Sequence, residues 1–171
     1  MKQLAISALE STKAIRFEIS TYGAPPDEGI PSFSQQVLPA SLVRGTRGYI
    51  ERIVNQINGT YEKGWFDSCA VMIRRLIETL IIEVFENYKI ASKIKNKDGD
   101  FLFLSDLIDK VISESAWNLG RGTKTSLQKL KNIGDKSAHS RRFNARRWDI
   151  DKIIDGLRIS CEELIYLASL K

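Results

Sequence analysis

A single histidine, His139, stands in a chain of 171 residues that also carries only two cysteines. That scarcity removes most metal chemistry, because Cys69 and Cys161 form neither a CxxC pair nor a Cys/His pair and no metal set is expected. Both cysteines fall within apolar helical patterns and read as small buried hydrophobes in a reducing compartment, not as a disulfide framework. The phosphate-loop pattern GxxxxGK[ST], the dinucleotide pattern GxGxxG and the zinc-protease pattern HExxH are all missing, so no nucleotide or metal cofactor is expected. Long apolar runs are missing too. The longest, Leu76 to Phe85, is interrupted by Glu78 and Glu83 and is too short for a membrane span, and Met1 to Glu10 lacks the continuous apolar core of a secretion leader. A soluble, cytoplasmic protein without membrane contact is expected.

Acidic residues are nearly missing from one segment. Between Arg121 and Trp148 nine positive residues (Arg121, Lys124, Lys129, Lys131, Lys136, Arg141, Arg142, Arg146 and Arg147) face one negative, Asp135. The segment therefore carries +8, which leaves −3 for the rest of a chain whose formal net charge is +5. Such segregation is the electrostatic footprint of a polyanion partner, and also what a solubilising basic surface would show.

With 43% hydrophobic and 27% charged residues, the composition is that of a globular chain able to bury one core. Residues 1–38 are set apart as an N-terminal arm. A helix is expected from Lys2 to Glu10, a short strand over Ala14 to Ser20 where Ile15, Phe17 and Ile19 alternate with polar residues, and an extended path through Pro25, Pro26 and Pro31. Residues 39–171 predict an all-α domain. Its helices are expected at about Ser41–Glu62, Trp65–Tyr88, Phe101–Ile112 with Ser105 as cap, Thr123–Ala138 and Asp149–Leu170. In the second of these, apolar residues cover most of the circumference, which predicts a central helix in an antiparallel bundle.

Three constellations have chemical potential. Arg74 and Glu78 stand at the i,i+4 spacing that lets them meet on one helix face as an internal ion pair, while Arg74 or Arg75 would alternatively offer a guanidinium to a phosphate. Asp135 and His139 have the same spacing. Their pairing would make either an acid/base couple or a plain helix end. In Arg141-Arg-Phe-Asn-Ala-Arg-Arg-Trp148, the arginines at 141, 142, 146 and 147 alternate with Phe143 and Trp148, the combination used for phosphate contact and base stacking on single strands. The alternative is a loop whose Trp148 anchors the last helix. Ser137 and Ser140 flank His139 without the spacing of a Ser/His/acid triad.

The segments Leu38-Pro-Ala, Tyr61 to Glu78 and Leu130 to His139, taken together, resemble the prokaryotic Domain of Unknown Function 4145 family, which is similar to the HEPN superfamily of helical domains. The resemblance spans about Pro39 to Leu170. It implies a bundle of four or more helices, two-fold pairing into a homodimer and, in catalytic HEPN members, metal-independent RNA cleavage by an arginine and a histidine at the end of a late helix. Carried over, His139 takes the histidine place and Asp135 the polar place. Gly134 stands at the arginine place and cannot stabilise charge on a scissile phosphate. Lys136, Arg74 or Arg75 would have to substitute.

Three functional expectations follow. The first is a non-catalytic HEPN-like module that binds RNA or another polyanion, with Arg141, Arg142, Arg146 and Arg147 on phosphates and Phe143 or Trp148 stacking. The second is a metal-independent endoribonuclease of toxin or defence type using His139. The third is a protein–protein interaction module whose basic loop docks an acidic surface.

Overall fold

The computed structural model describes residues 36–171. The helix, strand and extended path expected for the arm lie outside the described residues, apart from its last three positions. Of these, Val37 and Leu38 are fully buried in the core. The Asn58 side chain donates to Leu38 O (2.8 Å) and accepts from Leu38 N–H (3.1 Å), and Arg158 donates to Val37 O (3.0 Å) and Gln36 O (2.7 Å). Outside any helix this backbone has no ladder of its own, so side chains from two helices satisfy it.

The domain is an all-α bundle. Seven α-helices occur among the described residues: α1 (Ala40–Val43), α2 (Gly48–Glu62), α3 (Phe66–Asn87), α4 (Leu104–Ser113), α5 (Arg121–His139), α6 (Arg147–Asp151) and α7 (Ile154–Leu167), with a 3-10 turn at Ala91–Ile94. No strand occurs among the described residues; one isolated bridge pairs Lys95 with Phe101 across the polar Gly99 turn. No described helix is long and apolar enough to cross a membrane.

At 22 residues, α3 is about 33 Å long. Its buried residues, from Phe66 and Cys69 through Ile73, Leu76, Ile77, Leu80 and Ile81 to Phe85, point to several sides of the helix. The predicted central position holds, because α3 packs against α2, α4, α5, α6 and α7. The neighbours show one stripe each. In α2 the stripe is Ile50, Ile53, Val54, Ile57 and Tyr61, and in α4 it is Leu104, Leu107, Ile108 and Val111, the spacing of a single core-facing side.

Three expectations need correction. The first expected helix is two, because Gly45 takes a left-handed conformation (φ 84°) and Arg44 and Arg47 are extended; Gly45 N–H then donates to Glu51 Oε1 at 2.9 Å. The last expected helix is also two. Ile153 N–H bonds to Ile150 O, three residues back, and this tightened turn separates α6 from α7. Ser105 does not cap α4: Phe103 stands at the cap position with no side-chain bond, and Ser105 is already the helix's second residue.

Candidate polyanion-binding surface

The basic segment occupies all of α5, the loop that follows it, and the start of α6. Its helix runs along α3, and the inward stripe of α5 is Thr123, Leu127, Leu130 and Gly134. The last of these explains the composition of the stripe. A β-carbon at Gly134 would lie 2.6 Å from Arg74 Cβ and 3.1 Å from Ala70 O, so α5 and α3 touch backbone to backbone and no side chain fits between them. Ile133 beside it is half-buried against the core, and Ala138 is exposed.

Asp135, the segment's one acid, is engaged on both oxygens. Arg74 Nε donates to Oδ1 at 2.9 Å and Lys131 Nζ to Oδ2 at 2.6 Å, while Arg74 Nη1 also lies 3.5 Å from Glu78. Burial pushes the Asp135 carboxyl pKa up, but the Lys131 ammonium and the Arg74 guanidinium outweigh it and hold the group below its ordinary value. Two cations and two carboxylates thus close a balanced, half-buried set. The predicted Arg74–Glu78 pair is present, with Asp135 as the nearer partner. The anticipated Asp135–His139 pair does not form, because two closer cations fill the carboxylate. His139, the last residue of α5, is exposed, and its imidazole makes no hydrogen bond or ion pair with any described residue.

Beyond α5 the loop is held at its base. Asp67, in the first turn of α3, accepts from Ala145 N–H at 2.9 Å, and Ala145 is buried. Phe143 is half-buried against the core with the Lys136 ammonium 5.9 Å from its ring centroid. Asp149, the third residue of α6, accepts from Arg146 N–H at 3.1 Å. Arg147 lies 3.6 Å from Asp151 and 3.4 Å from the Tyr61 hydroxyl, which itself donates to Asp151. Burial first, and the neighbouring Asp151 carboxylate second, hold the Tyr61 phenol above its ordinary pKa, so it stays protonated as the donor.

The structure therefore sorts the predicted residues. Arg74 and Arg147 are tied into ion pairs, and Phe143 anchors the loop. Arg75 is exposed on α3, beside a shallow groove of about 430 Å³ bordered by Val71, Arg74, Glu78, Thr79 and Ile82. Arg141 and Arg142 are exposed, and no described residue bonds to either guanidinium. Lys136 and Arg146 are exposed as well. Trp148 is 52% exposed, with the Lys152 ammonium 3.3 Å from its ring centroid.

Sequence reasoning did not pick out Asp67, Tyr61, Lys131, Asp151 or Lys152. Only the i,i+4 spacings of Lys131 with Asp135, Arg147 with Asp151, and Trp148 with Lys152 were available to reveal some of them. Cys69 and Cys161 are both buried, and burial pushes the Cys69 thiol up to about 12, so neither serves as a ready nucleophile or ligand. Among the described residues no three His, Cys, Asp or Glu side chains converge as a metal site.

No family model, curated protein or solved structure matches this chain.

Proposed function

We propose that this chain is a HEPN-like helical module that binds polyanions, with RNA as the ligand, through the end of α5 and the following loop, without cleaving it. The observation that carries the reading is the fate of Asp135. The segment's one acid is spent on Arg74 and Lys131, so it neutralises none of Lys136, Arg141 and Arg142, which remain exposed. Asp67 and Asp149 use their carboxylates on backbone N–H groups of the loop base. The loop is thus held in place at one end while its positive charge faces solvent, which is the arrangement that attracts phosphate.

Two features support binding over cleavage. Among the described residues no carboxylate orients His139, and the position that the resemblance assigns to a catalytic arginine is a helix contact with no room for a side chain. The decisive experiment is an equilibrium titration of fluorescent single-stranded RNA at several salt concentrations, with a denaturing gel run in excess chelator. The expected result is intact RNA and an affinity that falls steeply with salt. An affinity unchanged between low and moderate salt would remove the model.

A further inference from the structure

Resting on that reading, we infer that Trp148 is a base-stacking platform, so that the ligand is a single strand with at least one unpaired base, in preference to a duplex or an unstructured polyanion. Two aromatic residues lie in the basic segment, and the structure separates them. Phe143 is turned into the core, where stacking on a ligand would require withdrawing it. Trp148 is 52% exposed, forms no ring pair with another described residue, and sits in the first turn of α6. Its indole is also held. Lys152, one turn later on α6 and its flanking turn, places its ammonium 3.3 Å from the ring centroid, which backs one face of the indole and adds a positive charge beside it. An exposed aromatic that is already oriented loses little conformational freedom when a base settles on it.

The spacing fits a strand. Trp148 follows Arg142 by six positions, so the two lie at most about 22 Å apart even on a fully extended path. A short single strand can therefore contact the arginines through its phosphates and Trp148 through a base, and bases stack on an aromatic regardless of sequence. A duplex would keep its bases paired and stacked internally and gain nothing from the indole.

The test compares two probes of equal charge: an oligouridylate of about twelve nucleotides and an abasic strand with the same number of phosphates. The variants are Trp148→Ala, Trp148→Phe and, as control, Tyr166→Ala. Tyr166 is 78% exposed near the end of α7, whose neighbouring Leu167 O accepts from Asn87 at the far end of α3 from Asp67. Wild type should bind the oligouridylate about ten-fold tighter than the abasic strand. Trp148→Ala should erase that preference while leaving abasic affinity unchanged, Trp148→Phe should keep most of it, and Tyr166→Ala should keep all of it. Equal binding of both probes by wild type, or a preference that survives Trp148→Ala, overturns the platform and leaves the polyanion grip standing. Binding of neither probe overturns the grip itself.

Discussion

Arg74 Cβ lies 2.6 Å from the point where a side chain at Gly134 would begin. The same arginine reaches along α5 to bond Asp135, the next residue. One residue of α3 thereby both excludes a side chain from α5 and consumes the carboxylate beside it. The contact leaves no room for a side chain at this position, and it keeps the Asp135 carboxylate away from Lys136, Arg141 and Arg142.

Gly134→Ala is expected to destabilise the fold by about 1–3 kcal/mol, because the new methyl meets Arg74 Cβ and a backbone oxygen that cannot swing aside. Gly122→Ala, in the same helix, meets nothing within 4 Å and should stabilise by roughly 0.4–1 kcal/mol through the unfolded chain. Urea denaturation of the two variants should move in opposite directions. Equal stability of Gly134→Ala and wild type would mean that the helices part at no cost.

Asp135→Asn removes a charge from the set it shares with Arg74 and Lys131 and should cost on the order of 1 kcal/mol at neutral pH, modest because the side chains remain 22–30% exposed and solvent screens the pairing. The folded-state pKa of Asp135 is depressed, so its contribution is fully present above the unfolded value and lost as pH falls through the folded one. The stability gap between wild type and variant should therefore be flat from neutral pH to about 5 and close below about 4. A gap that opens toward low pH would contradict the assigned direction.

Asp67→Ala leaves the buried Ala145 N–H without its acceptor, at an expected cost of about 1–3 kcal/mol. Because that bond ties the basic loop to α3, amide exchange at Ala145 should quicken more than exchange in the middle of α3. Uniform acceleration would indicate a global loss and deny the bond a local role.

Replacing Arg141 and Arg142 together with alanine should lower the slope of log affinity against log salt by up to about 1.4, at roughly 0.7 per phosphate contact on a single strand. Stability should hardly change, since both side chains are exposed and bond to no described residue. His139→Ala and wild type should leave RNA equally intact in the presence of chelator. Cleavage by wild type alone would restore His139 as an acid/base group.

The helical class was legible because its signal is local. Apolar spacing along Ile50, Ile53, Val54 and Ile57, or along Leu104, Leu107, Ile108 and Val111, needs only a few neighbouring residues to be read, and the saturated circumference of α3 marked it as central. Breaks within a periodic run were less legible. Leu42, Tyr49 and Ile50 continue a helical pattern straight across Gly45, and Ile150, Ile153, Ile154 and Leu157 continue one across the α6–α7 turn, so the pattern concealed both interruptions.

By itself the sequence determined the all-α class, the central helix and the concentration of positive charge in one segment, since each depends on residue type and short-range order. Only the tertiary structure decided which of those charges are free. Arg74 meets Asp135 across 61 positions and Asp67 accepts from Ala145 N–H across 78, and since both contacts need close approach of groups far apart in the chain, composition cannot say which partner a carboxylate will find. Spacing offered Asp135 to His139; the crossing of α3 and α5 at Gly134 gave it to Arg74.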